Sequence, residues 1–386
     1  MSGSVKIIEV DAGDPIIVTG QGMVSSLGLD ASNSCAAARA MLRRAQGLDT
    51  LRFASLDGRT VECAIGHPVP IITHGFEGAS RLAQLVAAAL RDLTSQFSIP
   101  SDGRAGLYIS MPSCRRHLTG AELIPDPVAK LAFLEESSKA LCPADDHIWT
   151  GKVLSLARRQ VLLPRELPLR FVTYAGHSGF AEALAFAVEH LQTNEVDWAL
   201  VGGFDSLVDE RYLKWLRLTG RLKGESNPTG LEPGECAVFL VAERKDHAVR
   251  RHARILSQIN RVATAHEDQP RLRGQQPTGR ALGNCIRATA NAAKLWLITD
   301  HNGETSRGME FGNVLSRVAV PSSQMPPVLF PAAVFGDTSA ASGGLAACVV
   351  QNAFHRNYAP VSSAVVVSMD DGSQRAAFSI GRSCEA

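Results

Sequence analysis

The sequence predicts an α/β protein. Short apolar, β-branched runs alternate with longer amphipathic stretches, and glycine-rich turns separate them, the pattern of a largely parallel sheet with helices on its faces. At 386 residues, 45% hydrophobic and 20% charged, the chain can bury a large core, and it is expected to divide into two closely packed halves rather than loose modules.

Ile16 to Thr19 reads as a first strand, stopped by Gly20-Gln21-Gly22. Ala79 to Gln96 reads as a helix with Leu82, Leu85, Val86 and Leu90 on one stripe, and Ala105 to Met111 as a buried strand. Gly120 to Leu163 carries Pro125, Pro127 and Pro143 and mixed polarity, so helical insertions and loops are expected to cap the sheet there. Leu169 to Tyr174 reads as a strand that turns at Ala175-Gly176-His177-Ser178-Gly179 into a helix reaching about Gln192, with a strand from Trp198 to Gly202 after it. Longer strands are expected over Gly234 to Ala242 and Ala253 to Val262. The polar stretch His266 to Gly279 then marks the best boundary between a half spanning 1–265, with a cap over about 112–165, and a half spanning 266–386. In the second half, helices are expected over Arg280 to Ala293, Gly308 to Arg317 and Ala340 to Phe354, with strands over Leu295 to Thr299 and Val328 to Phe330. Strands Ser363 to Ser368 and Arg375 to Ile380 close the chain around Asp370-Asp371-Gly372, a hairpin turn signal.

Composition excludes several classes of partner. With 39 basic against 38 acidic residues and a net charge of +1, no field steers nucleic acid or an anionic membrane toward the chain. Its longest apolar stretches, such as Leu82 to Leu90 and Ala359 to Val367, fall short of the roughly 20 residues of a spanning helix. Met1 to Val10 lacks the apolar core of a secretory signal, and a cytoplasmic location is expected. The eight cysteines (35, 63, 114, 142, 236, 285, 348 and 384) are scattered, with no C-x-x-C pair. They read as reduced thiols, and neither a metal nor a cofactor is expected.

Four blocks, the second made of two strands, resemble the β-ketoacyl synthases of the thiolase superfamily. Ile16-Ile17-Val18-Thr19-Gly20-Gln21-Gly22-Met23-Val24-Ser25-Ser26-Leu27-Gly28 is similar to the opening VTGxGxVSPLG. Val196 to Asp205 resembles the DxALAGGxE strand, and Pro233 to Val241 the GEGAxxLVLE strand. Asp300-His301-Asn302-Gly303-Glu304-Thr305, followed by Glu310, resembles AHGTxT, and Gly336-Asp337-Thr338-Ser339-Ala340-Ala341-Ser342-Gly343 resembles GHxxGAAG. The resemblance implies a thiolase-like fold, two βαβαβ halves in a five-layer αβαβα arrangement.

It also implies lost chemistry. The family's nucleophilic cysteine heads a buried helix whose dipole favours the thiolate. Aligning that turn on Ala175 to Gly179 puts Gly176 at the cysteine, and glycine offers no nucleophile. His301 stands at the first histidine, which in the family helps stabilise the enolate. Asp337 stands at the second, where a carboxylate cannot replace an imidazole donor in an oxyanion site. Ala332 takes the place of the usual lysine, and Met369-Asp370-Asp371-Gly372 that of the GFGG gating loop. Claisen condensation is therefore expected to be absent.

His177, Ser178, His301 and Asp337 are expected to converge on one pocket. A residual acyl hydrolase would use Ser178 as nucleophile, His301 as base and Asp337 as orienter, although the GHSGF turn lacks the second glycine of G-x-S-x-G and Ser178 also suits a helix cap. A metal site from His177, His301 and Asp337 has no supporting ligand spacing, and His301 reads more simply as a buried imidazole. Cys236 and Cys348 read as packing residues. Cys114, beside Arg115-Arg116-His117, is the only cysteine in a basic setting and reads as a loop thiol, and Lys245 to Arg254 as solvated surface.

The functional expectation is a ketosynthase-like pseudoenzyme related to fatty acid or polyketide biosynthesis that acts by binding, for example as a chain-length factor shaping an acyl tunnel beside an active ketosynthase. The alternatives are an adaptor or chaperone for a protein cargo such as a bacterial secretion effector, and the hydrolase above. By resemblance the chain is expected to dimerise through the edge of Leu169 to Thr173, with itself or with a ketosynthase homologue. An acyl carrier protein or a protein cargo is the further partner expected.

Overall fold

The second strand is buried almost throughout, and it continues without a break through three residues that resemble a turn. The structure, a computed structural model, describes residues 4–11, 13–54, 59, 61–138, 145–163, 167–290, 295–318 and 326–383. β1 (Lys6–Glu9) and β2 (Ile16–Ser25) open the chain, followed by α1 (Ala31–Arg39) and the antiparallel pair β3 (Gln46–Ala54) and β4 (Val61–Gly66). A single turn, α2 (Pro70–Thr73), leads to α3 (Gly78–Gln96) and β5 (Ala105–Ser110). The cap carries α4 (Arg116–Thr119), α5 (Pro127–Ser138) and α6 (Asp146–Arg158). Then come β6 (Leu169–Thr173), α7 (Gly179–Gln192), β7 (Trp198–Ser206), α8 (Glu210–Leu218), β8 (Glu235–Arg244), α9 (Lys245–Arg250) and β9 (Ser257–His266). α10 (Arg280–Thr289), β10 (Leu297–Thr299), α11 (Thr305–Arg317), β11 (Val328–Leu329), α12 (Ala332–Phe335), α13 (Ser342–His355), β12 (Ser363–Met369) and β13 (Gln374–Gly381) complete the chain.

One 11-stranded sheet runs in the order β11-β10-β12-β13-β9-β2-β8-β7-β5-β6, with β1 paired to β9. Period-two alternation divides its side chains between layers. Cys236, Val238, Leu240 and Ala242 of β8 join Ile16, Val18, Val262, Val366 and Phe378 around α7 and α13, whereas Ala237, Phe239 and Val241 face α3. On the other arm Ala263, Val365, Val367 and Ala377 face α10 and α11. The sheet thus wraps a central helical layer and carries a helical layer outside each arm, which makes five layers.

Two departures from the sequence reading have a physical cause. Gly20-Gln21-Gly22 does not end the first strand. A Cβ on Gly22 would stand 2.6 Å from the Leu93 backbone nitrogen, so the glycine admits α3 against the strand instead of turning the chain. The strand expected over Ala253 to Val262 lies four residues later, because its register is set by pairing with β13 and with Ile16 to Val18. Asp370 to Ser373 form the turn between the antiparallel strands β12 and β13. No helix among the described residues is long and apolar enough to cross a membrane.

Candidate functional site: a filled pocket at the head of α7

Four turns meet where α7 begins. β6 ends at Thr173, and a single 3-10 turn, Gly176–Ser178, carries the chain into α7. The segment after β10 brings Asp300 to Glu304, the loop after α12 brings Asp337, and the β12–β13 turn brings Asp370 and Asp371. Gly176 adopts φ +49°, and a Cβ placed on it would collide with Asp370 Oδ1. The space a side chain would need there is held by a carboxylate.

His177 is buried, and its Nε2 donates to Asp337 Oδ1 at 2.8 Å while Arg307 Nη2 lies 3.1 Å from Nδ1. Those partners leave Nδ1 as the acceptor in the neutral imidazole. Burial and the Arg307 guanidinium press against the protonated ring, but Asp337 outweighs them and raises the His177 pKa. Burial likewise pushes Asp337 up, yet His177, Arg307 and Asn302 together hold its carboxyl well below the ordinary range. Asn302 Nδ2 donates to Asp337 Oδ2 at 2.6 Å and the Ser339 amide to Oδ1 at 2.9 Å. Asp337 is therefore an ionised, fully engaged acceptor.

Arginines pair with Glu304, Asp371 and Asp300. Buried Arg221 grips Glu304 with Nε and Nη2, both at 2.8 Å, and reaches Asp371 Oδ2 with Nη1 at 2.7 Å. Arg271 adds a contact to Glu304 at 2.7 Å, and Arg307 meets Asp371 at 3.3 Å and Asp300 at 3.5 Å. Burial works against the charge on Glu304 and Asp371, but the arginines lower Glu304 to about 2 and take Asp371 well below its ordinary value. Asp300 and Asp370 go the other way, both raised mainly by burial. Fork-to-fork pairing of this kind offsets the desolvation of buried charge. Beside the network remains a void of about 20 Å³, lined by His177, Asp300, Ala332 and Asp337 among others. That is room for roughly one water.

Of the sequence-predicted residues, His177 and Asp337 are brought into contact, and Ala332, the first residue of α12, lines the same void. Ser178 is fully buried and donates to the Gln374 carbonyl at 3.1 Å. His301 turns away: its Nδ1 accepts from the Gly303 amide at 2.9 Å, and its ring stands edge-on to Phe330 with centroids 5.8 Å apart. No hydrogen bond among the described residues joins Ser178 to His301, and Asp337 orients His177, not His301. Burial is the main cause lowering the His301 pKa. The sequence reading missed Arg221, Arg271 and Arg307; the first two lie outside the recognised blocks, and Arg307 lies between Thr305 and Glu310, in the first turn of α11. Their only signal was the excess of acidic residues in those blocks, which buried structure has to neutralise.

The cysteines lie elsewhere. Cys236 and Cys348 are fully buried, and burial drives both thiols far above their ordinary value. Cys114 is half-buried, and its backbone amide donates to Asp146 Oδ1. Cys142 and Cys384 lie outside the described residues. Within Lys245 to Arg254, Arg251 is no free surface cation, for its Nε donates to the buried Glu243 at 3.0 Å. No group of three His, Cys, Asp or Glu side chains among the described residues is placed to hold a metal ion.

No protein-family model matches the chain, and no curated protein matches it. Solved structures do. The ishigamide ketosynthase/chain length factor superposes with a TM-score of 0.71 at 18% identity, over 96% of this chain and 99% of its own. The fold is the ketosynthase fold. A type II PKS acyl-carrier protein complex with its ketosynthase bound to the hexaketide gives 0.69 at 16% identity, over 96% of this chain and 99% of that one. The module 6 ketosynthase of the Bacillus subtilis 168 bacillaene synthase gives 0.72 at 12% identity, over 96% and 72%.

Proposed function

We propose that this ketosynthase-like chain performs no condensation and acts by binding, as a chain-length-factor-like subunit beside a ketosynthase homologue. The observation that carries the reading is the carboxylate of Asp370 standing where a side chain at position 176 would have to go. A nucleophile there would have neither room nor, with the pocket filled by paired charges, space for an acyl group. Pairing is supported by β6, which hydrogen-bonds only to β5 among the described strands and so ends the sheet. Along that edge Leu169 is 40% exposed, and half-buried Phe171 stacks on Phe186 with centroids 4.0 Å apart. An open strand edge flanked by apolar rings suits continuation of the sheet into a second subunit.

The adaptor reading rests on a different observation, exposed Val128 and Leu131 three residues apart on one face of cap helix α5. Purification from the native host followed by mass spectrometry of the co-purifying proteins separates the two. A ketosynthase and an acyl carrier protein are expected. Recovery of a toxin or secretion component instead moves the assignment to the adaptor, and recovery of the chain alone as a monomer removes the pairing.

A further inference from the structure

A second cavity, about 230 Å³, shares no residue with the charged network at the head of α7. It sits beyond the carboxyl ends of the parallel strands β5 and β7. Pro112 and Ser113 leave β5 there and Ser206 ends β7, with the first turn of α3 and residues Trp149 and Lys152 of α6 as walls. In sheets of this kind the crevice outside the strand ends is where ligands bind.

Its lining is cationic. Arg81 is matched by Glu235, with Nε at 2.7 Å, and Arg116 by Asp205 while it also lies 4.2 Å over the Tyr212 ring. Lys152 and Arg211 are different: no carboxylate among the described residues pairs with either. Of the acids in the wall, Asp209 already caps α8 through the Arg211 and Tyr212 amides, and Glu77 is exposed and gives α3 no side-chain cap. The 19-residue α3 therefore points an uncapped, positive end at the cavity. Two further groups lack partners. The Trp149 Nε1 donor is buried without one, and the ring of buried His117 has none among the described residues. Burial, with Arg211 adding to it, lowers His117 to about 4, so at neutral pH the ring is an uncharged donor and acceptor. Leu82, Pro112, Trp149 and Tyr212 supply apolar wall beside these polar groups.

We propose that this cavity binds a small oxyanion on a short apolar or planar body, a carboxylate or a phosphate monoester, with Lys152 and Arg211 as its counter-charges and Trp149 Nε1 as a neutral donor. This goes beyond the pairing function and does not depend on it. A compact pocket with a few convergent polar groups is the usual form of a small-molecule site, and charge-assisted hydrogen bonds supply the selectivity.

Calorimetric titration of the full chain at constant ionic strength tests the site with sodium benzoate, phenyl phosphate, inorganic phosphate and neutral benzyl alcohol. Saturable binding of benzoate or phenyl phosphate is expected, with Kd on the order of 0.1–1 mM, and at least ten-fold weaker binding to K152M/R211M. The control R104M changes an arginine at the opposite end of β5 and should bind as the parent does. A W149F variant should weaken binding several-fold and keep the anion preference. Which of the two aromatic anions binds more tightly distinguishes a carboxylate from a phosphate source. The inference is overturned if neither aromatic anion saturates, if benzyl alcohol binds as well as benzoate, if only inorganic phosphate binds, or if K152M/R211M matches R104M. Should the double variant fail to fold, K152M alone, at an exposed position, carries the same comparison.

Discussion

Placing a thiol at the head of α7 by G176C is expected to destabilise the protein. Position 176 has φ +49°, a left-handed conformation that costs a residue with a Cβ about 1–2 kcal/mol. The new Cβ also collides with Asp370 Oδ1, whose carboxylate accepts from the Gly372 amide at 2.7 Å through Oδ2. Displacing that group forfeits a charge-assisted hydrogen bond worth roughly 1.5–3 kcal/mol. The sum, about 2.5–5 kcal/mol, is large against the stability of an ordinary domain. Urea unfolding followed by tryptophan fluorescence reads it as a lowered midpoint at unchanged slope. Native-state alkylation with iodoacetamide, resolved by peptide mass spectrometry, reads whether residue 176 is reachable. G176C/D370A removes the obstructing carboxylate and should recover the part of the loss due to the collision, leaving the backbone strain. If G176C unfolds at the parent's midpoint and residue 176 is alkylated as fast as exposed Cys63, the head of α7 is open and the reasoning fails.

The buried pairs set further outcomes. Asp337 lies below its ordinary 3.8 when folded, so its stabilisation is present above that pH and is lost as pH falls through the folded value. His177 lies above its ordinary 6.5, so its stabilisation is complete below that pH and is lost as pH rises through the folded value. Thermal unfolding should thus place the pair's contribution at its greatest between about pH 4 and 6.5, and D337A should flatten the profile there. R221M leaves Glu304 and Asp371 buried without their main counter-charge and should cost about 3–5 kcal/mol near neutrality. Since both carboxylates are depressed when folded, that deficit should shrink as acid protonates them, and a urea midpoint equally displaced at pH 4 and pH 7 would contradict the linkage. S178A should cost about 1 kcal/mol through the lost bond to the Gln374 carbonyl and leave the background hydrolysis of short acyl esters unchanged; a specific rate that disappears in both S178A and H301A would restore the triad. F171K places a charge among the rings of the β6 edge and should convert a dimer to a folded monomer in sedimentation analysis, whereas an unaltered dimer would put the interface elsewhere.

The fold was largely legible in the sequence because its signals are local. The continuous apolar run of β8 and the 3.6-residue stripe of α3 appear in the order of residues themselves, and the Gly-rich blocks placed α7 and α13 correctly. The errors fell where a residue's role is set by something distant. Gly22 resembles a turn until α3 is laid against it, and the start of β9 depends on strands far away in the chain. The site was legible as a set of positions but not as an arrangement. The blocks named Gly176, His177, Asp337 and His301, yet nothing local tells that Asp337 takes His177 as its partner while His301 hydrogen-bonds within its own loop. Arg221 lies in an unremarkable segment after α8, and its importance exists only in the presence of Glu304 and Asp371.

The same nonlocality bears on why such a site persists. Each carboxylate at the head of α7 is costly alone, since a buried charge without a partner is penalised by several kcal/mol. Here Asp337 needs His177, Asp371 needs Arg221 and Arg307, and Glu304 needs Arg221 and Arg271. Removing any one member leaves its neighbours uncompensated, so single substitutions within the network carry a stability cost. The coupling among these groups should appear as strong non-additivity. In a double-mutant cycle of D337A and R307M, the joint loss should fall short of the two separate losses by about 1–3 kcal/mol, because the second removal relieves a charge that the first left stranded. Simple additivity would mean that the residues act independently.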